Sequence, residues 1–326
     1  MLTTLVTGAT GCVGSNLAIA LNRTGYHVRI LRRARSHIDA LEGNPCTEFI
    51  GDICDESVLR AAMDGCDTVY HCAALVTFAR GALDEQHRVN VLGTRAVVNA
   101  CLSAGVKSLV HASSVTTIGH PAPGGCANEE TPADRAAARG YKLSKILAED
   151  EVRKGVERGL RAVIVNPSVV IGERDVRFHA GQLIRDIKRG LIFFYIDGGM
   201  NIVYVGDVVK GMIRASEVGR SGERYILAGH NMTHKEIFSR VAQLIDGRKP
   251  IGKLPLPLLR GIGHAIERTC RIIGVRPLFT ADMAAVAGRY SWYSTAKAER
   301  ELGFTKTGFD EAIVKAYQWY KAKGLL

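Results

Sequence analysis

The first half of the chain alternates short apolar runs with amphipathic stretches. Residues 2–7 form a run of apolar and β-branched side chains that stops at a glycine turn, as a buried strand does. Similar runs predict strands over 28–31, 47–50, 68–71, 108–112 and 162–166, the last stopped by Pro167. Between them, the spacing of apolar positions predicts helices over 14–24, 56–63, 85–104 and 142–158. Strands that alternate with helices at this interval build βαβ units and a parallel sheet covered on both faces. The pattern changes after about residue 168. Helices are predicted over 182–189, 208–217, 232–245 and 309–323, with short strands at 202–204 and 224–227. Residues 249–263 are rich in Pro, Gly and Leu and read as a loop or lid. The prediction is an α/β fold with a doubly wound parallel sheet and a smaller C-terminal α/β substrate cap. Residues 1–170 form the core, and 171–326 are mainly cap, with segments near 200–230 returning to the core.

Composition narrows this picture. With 47% hydrophobic and 23% charged residues, the chain has the balance of a globular protein with a sizeable core. Disordered, collagenous and fibrous classes are excluded. The eight cysteines form no CxxC pair and match no zinc spacing, so they read as buried, reduced thiols and no metal is expected. No targeting segment and no integral membrane segment is evident, and a cytoplasmic location is expected. The net charge is +11 without a polybasic arm, and its densest cluster is Arg29, Arg32, Arg33 and Arg35. That cluster finds its explanation in a cofactor phosphate, so nucleic acid is not an expected partner.

The stretch from Thr7 to Gly14 reads TGATGCVG, with Gly8, Gly11 and Gly14 in a GxxGxxG pattern between a strand and a helix. Glycines let the backbone turn sharply and approach a pyrophosphate, which the free N–H groups of the helix start then receive. Thr10, Cys12 and Val13 belong to the same cofactor-binding turn. A dinucleotide fold that prefers NAD carries an acid at the end of the second strand. Here that place holds Arg32, followed by Arg33. Two guanidinium groups suit a 2′-phosphate, so the expected cofactor is NADP (NADPH), with NAD possible. Asp52 is placed to accept from the adenine amino group, Ile53 to cover the ring, and Ala73 and Ala74 to let the cofactor lie close to the sheet edge.

Tyr141 and Lys145 are four residues apart and share one helix face. A tyrosine with a pKa near 10 is a poor base at neutral pH, and a nearby ammonium brings its phenolate closer to the working range. Lys145 is also placed to hold the nicotinamide ribose. Ser113 and Ser114 end the fifth strand; Ser114 is chosen to hold the substrate oxygen, with Ser113 turned into the junction. The catalytic set is therefore Ser114, Tyr141 and Lys145.

At these residues the chain resembles a short-chain dehydrogenase/reductase of the extended type, in the NAD-dependent epimerase/dehydratase superfamily with its Rossmann-type fold. The resemblance covers nearly the whole length. It implies that the glycine turn binds the pyrophosphate and that Tyr141 is the general acid/base. It implies that Asn90, within Asn90-Val91-Leu92-Gly93-Thr94, supports the active site beside the cofactor. The segment 166–172, with Pro167 and Val170, is implied to line the nicotinamide face. Residues 203–208 resemble the family's V-H-V-x-D-V segment, with Tyr204 where histidine is usual, and 294–297 and 301–304 resemble its C-terminal signature. The motif YxxSKxLAE, here Tyr141, Ser144, Lys145, Leu147, Ala148 and Glu149, looks most like the dihydroflavonol 4-reductase-like branch. Lys142 stands where nucleotide-sugar enzymes tend to carry glycine.

The expected reaction is therefore NADP(H)-dependent reduction of a ketone, or oxidation of a secondary alcohol, on a small and moderately apolar substrate. The alternatives are a nucleotide-sugar epimerase/dehydratase with tightly bound NAD and a 3β-hydroxysteroid/sterol dehydrogenase-like enzyme. The expected pocket draws on Phe78, His120, Phe178, His179, Phe193, Phe194, Tyr195 and Phe279. Residues 254–259, followed by Arg260, Arg268 and Arg271, are expected to form an apolar lid, with rest on a membrane surface as the alternative. The resemblance also implies a homodimer through helices 86–104 and 142–158.

Overall fold

A computed structural model describes residues 1–77, 80–122, 124–272 and 288–326; the pocket expectations on Phe78 and Phe279 lie outside the described residues. Seven strands form one sheet: β1 (Thr3–Thr7), β2 (His27–Arg32), β3 (Thr47–Ile50), β4 (Thr68–His71), β5 (Ser108–Ala112), β6 (Ala162–Pro167) and β10 (Arg224–Leu227). Their order is β3-β2-β1-β4-β5-β6-β10. Every pairing in it is parallel, with Leu5 opposite Arg29 on one side and Val69 on the other. Strand order reverses between β1 and β4, and the crevice outside the carboxyl ends of these strands is where such sheets bind nucleotides.

Helices cover both faces because the central strands are apolar on both. β6 is buried along its whole length. On one face α1 (Cys12–Arg23) and α7 (Val205–Val218) pack Leu17, Leu21, Val208 and Met212 against Val6, Val110 and Val165. On the other face lie α2 (Glu56–Met63), α4 (Gly93–Ser103) and α5 (Gly140–Glu157). There Leu59, Met63, Val97, Cys101 and Val152 meet Leu5, Val69, Leu109 and Ile164. The cap expectation takes the form of a smaller C-terminal α/β region. Its three-stranded sheet joins β11 (His230–Thr233), β9 (Gly199–Tyr204) and β7 (Val169–Ile171). The helices α6 (Gln182–Lys188), α8 (His234–Leu244) and α11 (Phe309–Ala322) close a separate core around Ile184, Ile237, Val241 and Ile313. A short α10 (Ala296–Leu302) returns Leu302 to the main core.

Three segments differ from the sequence expectation. The helix expected over 85–104 is α3 (Leu83–Gln86), a π-helical stretch at His87–Leu92 and then α4. The helix expected from residue 232 begins two residues later, because β11 runs to Thr233 and Thr233 caps α8 in a capping box with Glu236. Residues 249–263 are not a loop. They form β12 (Gly252–Lys253), paired with β8 (Phe194–Tyr195), and enter α9 (Leu256–Ile272). Pro257 is tolerated there because it sits in the first helical turn, where a missing N–H breaks no internal bond.

Candidate active site

The turn between β1 and α1 works only with glycine. Gly8 has φ +72°, and a Cβ on it would lie 2.6 Å from the backbone nitrogen of Ala73. A Cβ on Gly14 would lie 2.3 Å from the carbonyl oxygen of Gly8. Gly11 N–H donates to that same oxygen at 3.0 Å and caps α1 in an extended conformation. The backbone is thus pressed against the end of β4, and the open N-terminus of α1 faces a cavity of about 500 Å³.

That cavity is lined by Gly8, Thr10, Gly11, Cys12, Val13 and Gly14, and by Arg32, Arg33, Asp52, Ile53, Ala73 and Ala74. At its other end it is lined by Ser114, Tyr141, Lys145, Pro167 and Val170. Residues as far apart in sequence as Gly8 and Val170 therefore meet along the carboxyl edge of the sheet. Glycines that admit close backbone approach, a helix start and a long cavity ending at a tyrosine fit a dinucleotide. Asn90 does not reach this cavity. It is buried in the π-helical stretch, where its side chain accepts from Leu75 N–H (2.7 Å) and donates to Ser144 Oγ (2.9 Å). It ties the loop after β4 to the helix that carries Tyr141 and Lys145, so its contact with the cofactor wall is indirect.

Lys145 is 1% exposed, and its Nζ donates to the carbonyl of Ala112 at the end of β5, at 2.7 Å. Burial lowers its pKa from 10.5 to about 8, against the opposing pull of Glu149. Burial raises the Tyr141 phenol to about 12, with a hydrogen bond to Ser114 acting in the other direction. Tyr141 is therefore neutral at pH 7. Lys145 directs its ammonium to the sheet carbonyl of Ala112. Ser114 Oγ accepts from Thr116 N–H at 3.2 Å, and Ser113 Oγ donates to Glu149 Oε1 at 2.6 Å.

Glu149 closes the YxxSKxLAE motif, and the structure gives it a role that the motif does not show. It lies one turn beyond Lys145 on α5 and is 1% exposed. Its Oε1 accepts from Ser113, Thr117 (2.6 Å) and Asn166 (2.8 Å), and its Oε2 from Arg153 (2.9 Å). The carboxylate binds α5 to the ends of β5 and β6. The i, i+4 spacing of Lys145, Glu149 and Arg153 was the available signal. Beneath Lys145 lies a pair of buried histidines, His71 and His111, with ring centroids 5.1 Å apart. His71 is held between Thr7 Oγ1 (2.8 Å) and Thr94 Oγ1 (2.9 Å), and burial followed by the Lys145 charge lowers its pKa to about 3. Both rings are neutral.

The expected aromatic lining is mostly elsewhere. His179 lines the cavity. Phe178 instead stacks on Tyr320 at 4.9 Å, His120 is exposed outside the lining, and Phe193, Phe194 and Tyr195 lie on and beside β8. Leu75, Val76, Val169, Val170 and Val176 add an aliphatic stretch to the cavity lining, which also includes the exposed Arg177 and His179.

Residues 4–228 match the family model described as NAD dependent epimerase/dehydratase family. The chain belongs to that family. It is an NAD(P)-linked enzyme of the Rossmann type, in the class of oxidoreductases and epimerases. It is 32% identical to sterol demethylase protein B of Methylococcus capsulatus, over 100% of both chains. It is 32% identical to a putative dihydroflavonol 4-reductase of Synechocystis, over 98% of this chain and 94% of the other. The crystal structure of gox2253 superposes with a TM-score of 0.89 at 35% identity, over 99% of each chain.

The expected preference for NADP is overturned. Matched solved structures that carry a dinucleotide hold NAD, among them WbmH of Bordetella bronchiseptica (19% identity, TM-score 0.78) and MoeE5 (24%, 0.76), each matched over at least 98% of both chains. The local chemistry agrees. Arg32 donates through Nε to Glu48 Oε2 at 2.6 Å, and its terminal nitrogen lies 2.5 Å from the same oxygen. Glu48 comes from β3, opposite Ile30 of β2, so an acid does stand at the end of the second strand. It arrives by strand pairing and not by sequence position. Asp52 is likewise paired, with Arg88 at 2.8 Å.

Within the described residues, no helix is long and apolar enough to cross a membrane.

Proposed function

We propose that this chain is an NAD-dependent dehydrogenase that oxidises a secondary hydroxyl on an apolar, sterol- or steroid-like substrate. The observation that carries the reading is the Tyr141 hydroxyl beside Ser114, one helical turn from Lys145, in a cavity also lined by Leu75, Val76, Val169 and Val170. Sterol demethylase protein B, full-length at 32% identity, supports the substrate class, as do the mammalian sterol-4-alpha-carboxylate 3-dehydrogenases at 26–28%. The likeness to a putative dihydroflavonol 4-reductase at the same identity supports the same carbinol–ketone chemistry.

NAD supplies the hydride acceptor when bound. The glycine turn and the start of α1 hold its pyrophosphate, Ile53 and Asp52 its adenine end, and Lys145, Pro167 and Val170 its nicotinamide end. Ser114 Oγ donates to the carbinol oxygen and holds it against Tyr141 Oη. The neutral Tyr141 phenol gives its proton to the ketone oxygen in reduction, and in oxidation its phenolate form takes the hydroxyl proton back. Lys145 adds positive charge, which favours the phenolate at that moment. Glu149, by gathering Ser113, Thr117 and Asn166, keeps the ends of β5 and β6 at fixed distance from α5. We assign residues 1–170 to cofactor binding and 171–326 mainly to the substrate.

A second reading is a nucleotide-sugar epimerase. Arg177 and His179 in the cavity lining suit a diphosphate, and a nucleoside-diphosphate-sugar epimerase structure from Pseudomonas aeruginosa matches at 25% identity and TM-score 0.81. The test is to identify the nucleotide released on denaturation and to follow NADH formation with 3β-hydroxysteroids and UDP-sugars. Stoichiometric NADH from a hydroxysteroid supports the dehydrogenase. Retained NAD, no net NADH and inversion of a UDP-sugar carbon refute it in favour of the epimerase.

A further inference from the structure

One edge of the C-terminal region carries large apolar side chains in water. Leu191 is 58% exposed, Phe193 54%, Phe194 49% and Ile251 77%. They form one knuckle, because β8 pairs with β12: Ile251 N–H donates to Phe193 O at 2.8 Å, and Leu254 N–H to Tyr195 O at 2.7 Å. The chain passes directly from this knuckle into α9, where Leu258 and Ile262, one turn apart, are 54% and 40% exposed. The sequence around the apolar residues is basic. Six of the residues in 248–271 are Lys or Arg and one is acidic. Lys253 is paired with Asp197 at 2.5 Å, whereas Arg189, Arg248 and Lys249 are exposed and make no ion pair among the described residues.

We infer that the β8–β12 knuckle and the exposed face of α9 form a docking surface for an anionic lipid bilayer. Aromatic and aliphatic tips flanked by arginine and lysine enter the boundary between headgroups and acyl chains, and the cations meet anionic headgroups. A second copy is the weaker fit. A two-fold contact through this surface sets its cations against their own counterparts. The surface rests on its own side chains and stands whether or not the substrate is a sterol.

The experiment is flotation of the full chain with vesicles of phosphatidylcholine alone, or with about one-third phosphatidylglycerol. The expected result is capture by the anionic vesicles at least about tenfold above the neutral ones, weakened by salt. The triple variant Phe193→Ser, Phe194→Ser, Ile251→Ser should lose that capture while keeping wild-type NAD affinity and thermal midpoint. A second variant, Arg248→Glu with Lys249→Glu, changes only exposed side chains and should lose it too. No capture of the wild type, or equal capture of both variants, overturns the inference. So does a wild-type dimer that the triple variant converts to monomer, since a second copy then covers the surface. Capture that persists in a protein inactive on hydroxysteroids leaves the docking surface standing and removes the substrate assignment.

Discussion

Replacing Lys145 by methionine should stabilise this protein while disabling it. The ammonium is buried at 1% exposure, and its pKa falls from 10.5 to about 8. Between those values the unfolded chain holds a proton that the folded chain has released, so stability rises with pH across this window. Below pH 8 both states are charged and the native state carries the whole penalty. The penalty is about 3 kcal/mol at pH 7 and about 1 kcal/mol at pH 9.5. Methionine has similar length and no charge, but it gives up the hydrogen bond to Ala112 O, worth about 1 kcal/mol net. Lys145→Met should therefore be about 2 kcal/mol more stable than wild type at pH 7, a rise in thermal midpoint of about 4 °C, and nearly equal to it at pH 9.5. Thermal melts of the two proteins across that range, with turnover measured alongside, make the assay. A variant less stable at pH 7, or a gap that does not close as pH rises, refutes the argument that burial of the charge dominates at this position. Stability lost to a site in exchange for function is a common pattern in enzymes.

Three further outcomes are expected. Tyr141→Phe should lower kcat by about 10²–10⁴-fold, the range for loss of a general acid/base, with the NAD dissociation constant within about twofold of wild type by fluorescence titration. Glu48→Gln should free Arg32 from its ion pair and narrow the preference for NAD over NADP by about tenfold in the ratio of dissociation constants; an unchanged ratio removes Arg32 from the ribose end of the site. Gly8→Ala should abolish NAD binding by calorimetry, because its Cβ meets the Ala73 backbone and φ is +72°, and normal affinity would reject the turn as the pyrophosphate cradle.

The core strands were legible because burial on both faces leaves continuous apolar runs bounded by turns, and residues 68–71, 108–112 and 224–227 are strands in the structure as read, as is the more exposed edge strand 47–50. The smaller region was less legible. β8 and β12 are two residues each and exist only as partners of one another, and the proline-rich start of α9 resembles a loop until its position in the first helical turn is known. The candidate site divides the same way. Tyr141, Lys145, Ser114 and the glycine turn carry local spacing that points to their chemistry. The buried His71–His111 pair has none, and the i, i+4 spacing of Glu149 shows only its helix neighbours, since the meaning of both lies in partners on other elements.

The sequence alone determined which residues turn the backbone, which run through the core and which share a helix face, because these properties depend on neighbours within a few positions. The tertiary structure decided which charges remain free. Arg32 looks like a phosphate ligand until β3 brings Glu48 to it, and Lys145 receives from β5 a carbonyl partner, Ala112, that its helix position does not show. Charge acts through space, and the nearest group across a sheet lies tens of residues away along the chain.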